Sequence, residues 1–155
     1  MQEQFMRRAI ALSLENVRSG RGGPFAAVVV RGDEIIAEGT NQVTSTNDPS
    51  AHAEILAVRA ACSALAHFQL AGCDIYSSCE PCPMCLGLIY WARLDKVYYA
   101  NTVEDAAAIG FDDSRIYREL ALPHATRSLP MTQMLRHEAL AAFRAWQAKA
   151  DRIPY

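Results

Sequence analysis

Apolar residues recur at helical spacing from the first residues of the chain. Phe5, Ala9 and Leu12 form one stripe with Asn16, and Met6, Ile10 and Val17 run beside it with Ser13. A helix is therefore predicted over residues 2–19, ended by Gly20, Gly22 and Gly23. Residues 25–30 are apolar without alternation, the pattern of a short strand buried on both faces. The polar turn 31–34 and the run 35–40 complete a hairpin. Residues 43–50 read as a polar loop broken by Asn47-Asp48-Pro49. A second helix is predicted over 51–65, where Ala51, Ala53, Ala57, Ala60, Ala61 and Ala64 would let it lie close to a sheet. Strands are predicted over 73–78 and 96–100, with a third helix over 83–92 between them. Residues 101–127 read as short helical pieces around Gly110-Phe111-Asp112-Asp113. A last helix over 136–150 places Leu140, Phe143 and Trp146 on one face.

Strands alternating with helices imply an α/β fold, a three-layer α/β/α sandwich. The opening hairpin makes its sheet mixed. With 155 residues the chain suits a single domain spanning 1–155. Hydrophobic residues make up 51% and charged residues 21%, which suits a globular chain and excludes a disordered one. The formal net charge of -2 offers no basic surface and argues against a nucleic-acid substrate. No apolar run reaches the roughly 18 residues of a membrane span, and residues 1–10 carry no signal-like apolar core. A cytoplasmic location is expected. Cysteines stand at 62, 73, 79, 82 and 85, an odd count that reads as thiols plus a metal site, not a disulfide framework.

Two short motifs carry chemistry. His52-Ala53-Glu54 opens the second helix and Pro81-Cys82-Pro83-Met84-Cys85 opens the third. Cys82 and Cys85 are three apart, so their sulfurs share one helix face. A helix N-terminus favours anions and so favours thiolates, and Pro83 costs no hydrogen bond in a first turn. His52 adds a neutral nitrogen ligand. Three protein ligands suit one Zn2+ per chain with water or hydroxide as fourth ligand, the open arrangement of catalytic zinc. Glu54 is the candidate proton shuttle, serving first the ring nitrogen and then the leaving amine. H-x-E with P-C-x-x-C is the zinc deaminase pattern. Residues two apart on a helix diverge by about 200°, so His52 and Glu54 share a site only if their helix meets the metal end-on.

Plainer roles compete. Cys79 could complete a structural Cys3His site, making the chain a non-catalytic zinc module, although a cysteine at a strand end also packs as a small hydrophobe. Cys62 and Cys73 read as core. His67, His124 and His137 stand without ligand company.

At this point the chain resembles the cytidine deaminase-like proteins, and more narrowly the small bacterial guanine deaminases. The segments that carry the likeness are Gly22-Gly23-Pro24-Phe25, Asn47-Asp48-Pro49, the two zinc motifs, Ile89-Tyr90-Trp91-Ala92-Arg93, Gly110-Phe111-Asp112-Asp113 and Tyr155. The resemblance implies a central mixed five-stranded sheet. It implies a hydrolase that converts guanine to xanthine and ammonia in purine breakdown or salvage. His52, Cys82 and Cys85 would bind zinc, and Glu54 would shuttle protons. Asn41 would hydrogen-bond the purine, Phe25 and Trp91 would pack on the base, Phe111 would join the substrate site, and Asp113 would assist the leaving amine. A homodimer with exchanged C-terminal segments is implied, with Tyr155 of one chain closing the other chain's site. Ala26 stands where relatives tend to have glycine.

Asp113 also has a rationale of its own. Guanine presents two adjacent donors, N1–H and the 2-amino group, whereas adenine and cytosine place an acceptor beside the amine. An ionised carboxylate only accepts, so it suits guanine. The alternatives are a tRNA adenosine deaminase, which shares both zinc motifs, and a deaminase of another base such as cytosine, a pterin or a triazine.

Overall fold

The computed structural model describes residues 2–155. They fall into two compact units, one ending at Ser114 and the other Arg115–Tyr155.

The first unit begins with α1 (Glu3–Arg18), whose buried stripe is Phe5, Ala9, Leu12 and Asn16. Gly20 ends it in the left-handed region at φ 68°. Then come β1 (Ala26–Arg31) and β2 (Glu34–Thr40), an antiparallel hairpin closed at Arg31–Glu34. Where a polar loop was expected, residues Val43–Thr46 form a single turn, α2, with the Ser45 and Thr46 hydroxyls donating to the Gln42 carbonyl. Next are α3 (Ala53–Ala64), β3 (Asp74–Cys79), α4 (Pro83–Trp91), β4 (Lys96–Asn101) and α5 (Val103–Ala108).

The sheet runs β2-β1-β3-β4, with β3 and β4 parallel and the other pairs antiparallel. It is mixed, as predicted, but it has four strands among the described residues and not five. After β4 the chain turns at once into α5. Thr102 and Asp105 form a reciprocal capping box there, which starts a helix directly after the fourth strand.

β1 is buried along Ala26–Val30, as its unbroken apolar run predicted. Its residues sort by parity. Ala27 and Val29 pack with Ala53, Ala57, Val58 and Ala61 of α3 and Ile89 of α4. Ala26, Val28 and Val30 pack with Phe5, Ala9 and Leu12 of α1. Two cores on opposite faces of one sheet give the three layers. The alanines of α3 do what their size suggested. At Gly39 of β2 a side chain would meet the Ala53 carbonyl oxygen at 2.3 Å and the Ala57 nitrogen at 2.5 Å, so α3 lies directly on the strand.

The second unit carries most of α6 (Ser114–Ala121), a 3-10 turn His124–Thr126 and α7 (Arg136–Ala148). None of its residues is buried. No helix among the described residues is long and apolar enough to cross a membrane.

Candidate active site

The end-on condition is met because His52 is not helical. It is the N-cap residue of α3, with extended backbone at φ -72° and ψ 153°, and the helix begins at Ala53. Glu54 therefore stands in the first turn, and the usual angular spacing along a helix does not separate the two. Cys82 is likewise the N-cap residue of α4, with Pro83 opening the helix and Cys85 in its first turn. Two helix N-termini thus carry the whole set.

The cluster is tight. His52 Nδ1 lies 3.6 Å from Cys82 Sγ and 3.5 Å from Cys85 Sγ, and the two sulfurs are 3.6 Å apart. Zinc–sulfur bonds of about 2.3 Å and zinc–nitrogen bonds of about 2.0–2.1 Å in a tetrahedron require edges of about 3.8 Å (S···S) and about 3.6 Å (S···N). The three atoms already have the spacing of three corners of a zinc site. They form the group of at least three potential ligands found among the described residues.

The electrostatics favour a cation. The Cys82 thiol is held down at about 4, chiefly by the hydrogen bond from Cys85 and also by His52. Cys85 is pushed up because it keeps its proton in the hydrogen bond with Cys82, and burial adds to the shift. The Cys82 contact also raises His52. Glu54 is 6% exposed, and burial raises its carboxyl. Ser77 of β3 donates to Glu54 Oε1 at 3.1 Å, while Cys85 Sγ lies 3.4 Å from Oε2. One carboxylate oxygen is thus tethered to the sheet and the other faces the metal ligands.

Cys79 takes no part in the cluster. Its thiol donates to the Thr102 carbonyl at 3.5 Å, and burial pushes it up to about 11, far from the thiolate that zinc needs. Cys73 is fully buried and Cys62 packs against the same core.

A second corner gathers the residues expected to meet a base. The Asn41 backbone N–H donates to the Phe25 carbonyl at 3.0 Å, and its Oδ1 accepts from the Gly23 and Val43 N–H groups at 3.3 and 3.4 Å. The Phe25 and Phe111 rings meet edge to face with centroids 4.9 Å apart. Phe111 is thrown back by a turn at the end of α5, where Gly110 at φ 94° donates to the Ala107 carbonyl and Phe111 N–H to that of Ala106. Asp112 Oδ1 accepts the Ser114 N–H, and the half-buried Asp113 is raised by burial and then by the charge of nearby Cys82. Trp91 ends α4, about 13 Å along the helix from Cys82 at about 1.5 Å per residue, and is 61% exposed. Tyr155 is exposed at the end of the second unit.

Two residues of this region were given no site role from the sequence. Ser77 orients Glu54, and its signal was a Ser-Ser pair between Tyr76 and Cys79 in a strand. Asn16 is fully buried beside Asn41, and its signal was an amide on the apolar stripe of α1.

Residues 1–101 match the family of the cytidine and deoxycytidylate deaminase zinc-binding region. The chain is 52% identical over 153 residues to the guanine deaminase of Bacillus subtilis, covering 99% of this chain and 98% of that protein. An X-ray structure of guanine deaminase from Bacillus subtilis superposes with a TM-score of 0.97 at 51% identity, covering 100% of this chain and 99% of that one. The tRNA-specific adenosine deaminase of Agrobacterium fabrum is 43% identical, but over 76 residues, 49% of this chain and 50% of that protein. A three-ligand site on two helix N-termini, within a likeness that runs the length of the chain, makes this protein a member of the zinc-binding cytidine and deoxycytidylate deaminase family, in its guanine deaminase branch.

Proposed function

We propose that this chain hydrolyses guanine to xanthine and ammonia. One observation carries the reaction class: a buried carboxyl, Glu54, reaches a cluster of three zinc-type ligands at 3.4 Å. The full-length likeness to a guanine deaminase supports the substrate, whereas the likeness to a tRNA deaminase spans half the chain.

His52, Cys82 and Cys85 would hold the metal. Zinc bound there supplies a Lewis acid that activates water for attack on the amino-bearing ring carbon. Glu54 takes a proton from the attacking water at Oε2 and passes it to the ring nitrogen, then takes a second proton from the new hydroxyl on the attacked carbon and gives it to the departing amine, leaving the carbonyl. Its raised carboxyl suits both the taking and the giving of a proton. Ser77 keeps it aimed. Asn41 hydrogen-bonds the purine and Phe25 and Phe111 pack against it. Asp113 accepts from N1–H and the 2-amino group and steadies the leaving ammonia. The test is ammonia release by zinc-loaded protein from guanine, adenosine, cytosine, a pterin and an aminotriazine. Guanine is expected to turn over fastest, and turnover of another compound with guanine untouched would reassign the substrate.

The active form is a homodimer with exchanged C-terminal segments. Residues 115–155 hold no buried side chain, and Leu129, Met134 and Phe143 are each at least 70% exposed. Such a segment has no core of its own, and a second copy of the chain supplies the missing apolar surface. The partner subunit's Tyr155 would then close the site, with Trp91 on the same base. Co-expressed Glu54→Gln and Tyr155→Ala chains are expected to regain activity, because the intact Glu54 of one chain meets the intact Tyr155 of the other. No gain over the Tyr155→Ala protein alone would rule out the exchange.

A further inference from the structure

Asn16 is fully buried, and no step of the proposed reaction uses it. It stands in the last part of α1, on the stripe formed by Phe5, Ala9 and Leu12. Its Nδ2 donates to the Gly23 carbonyl at 2.9 Å and to the Asn41 carbonyl at 2.8 Å. This orientation is fixed by the surroundings, since the reverse would set Oδ1 against both carbonyls. Oδ1 itself has no hydrogen-bond partner among the described residues. A buried oxygen without a partner costs stability, and an apolar residue of similar size would carry none. The amide is thus better suited to the two carbonyls than to the core around it.

Both carbonyls belong to the base corner. The Gly23 N–H donates to Asn41 Oδ1, so Asn16, Gly23 and Asn41 form a closed ring of hydrogen bonds. Gly22 lets the ring close, because a side chain there would meet the Asn41 carbonyl oxygen at 2.1 Å. Asn41 in turn holds the Phe25 carbonyl through its own N–H.

We propose that Asn16 is a positioning residue for guanine recognition. It holds the backbone of Gly23 and Asn41 so that the Asn41 amide and the Phe25 ring meet the base together. It touches no substrate itself, and the inference rests on the reading of Asn41 as a purine contact.

A double-mutant cycle on zinc-loaded protein tests it, with Asn16→Leu, Asn41→Ala and the double variant. Asn16→Leu is expected to raise KM for guanine about tenfold with kcat within about threefold and zinc still at one per chain, the pattern of lost binding. The double variant is expected to lose clearly less than the product of the two single losses, because both changes act in part through the Asn41 amide. Multiplying losses, or an unchanged KM in Asn16→Leu, would make Asn16 a purely structural residue while leaving Asn41 in place. Full kcat/KM in Asn41→Ala would remove Asn41 from recognition and this inference with it. If Asn16→Leu does not fold, Asn16→Ser replaces it in the cycle. Its hydroxyl serves one carbonyl, so a smaller rise in KM is expected, and no rise would overturn the proposal.

Discussion

The metal corner and the base corner of this site are built in opposite ways. Every ligand of the metal corner and Glu54 come from two motifs of a few residues, each at a helix N-terminus, and apart from Ser77, which holds Glu54, their partners are other members of the set. The base corner draws Asn16, Gly23, Phe25, Asn41, Phe111 and Asp113 from distant stretches of chain, held by backbone hydrogen bonds and one aromatic pair. The first is preorganised by secondary structure, the second by tertiary contacts. Changes in the metal corner are therefore expected to abolish chemistry, and changes in the base corner to alter binding and preference.

Glu54→Gln should separate the two most sharply. The amide keeps the size and one acceptor oxygen for Ser77 but cannot carry a proton between water and base. Turnover is expected to fall about 10²–10⁴-fold while zinc stays at one per chain and KM for guanine changes little. Zinc analysis beside single-turnover kinetics checks it. Loss of zinc would mean that Glu54 belongs to the metal set, and unchanged turnover would take it out of the mechanism.

The same contrast explains what could be read in advance. His52, Cys82 and Cys85 were legible because their spacing is local and their chemistry is narrow. β1 was legible because a strand buried on both faces has no polar positions. The end-on approach of α3 was visible only as a requirement, since one extended residue at His52 decides it. The expected fifth strand rested on the resemblance alone, with no residues of the chain assigned to it, and four strands form the sheet among the described residues. Asn16 was placed on the stripe of α1 but given no role, because its partners are backbone carbonyls and a carbonyl has no letter in a sequence. Trp91 was expected to pack on the base by resemblance alone, and its position at the end of α4 follows from where that helix starts.

Asp113→Asn should give a smaller loss that depends on pH. Removing one acceptor and presenting a donor to guanine's N1–H or 2-amino group costs about 1–3 kcal/mol, a loss of roughly 5–150-fold in kcat/KM. Burial and the charge of Cys82 raise the Asp113 carboxyl. Only the ionised form offers both oxygens to guanine's two donors, so wild-type kcat/KM should fall on the acid side at a pH above the ordinary carboxylate range, and the variant should lose that dependence on Asp113. Stability runs the other way. A carboxyl raised in the folded state stabilises below its unfolded value, and that contribution is lost as pH rises through the folded one. The melting temperature of Asp113→Asn relative to wild type should therefore rise between pH 4 and pH 7. A flat difference would mean that burial does not act on this group.

Phe111→Leu should have the smallest effect and probes the base corner alone. The variant stays apolar but loses the edge-to-face pair with Phe25, an arrangement worth about 0.5–1.5 kcal/mol beyond its buried area. Gly23 limits any repacking, because a Cβ there would already sit 3.3 Å from the Phe25 ring and 3.4 Å from Phe111. The loss should appear as a rise in KM for guanine of roughly 2–13-fold, with zinc content and kcat unchanged, if the pair orients Phe25 against the base. A fall in kcat at constant KM would instead tie Phe111 to the proton transfers around Glu54, and the division between the two corners would no longer hold.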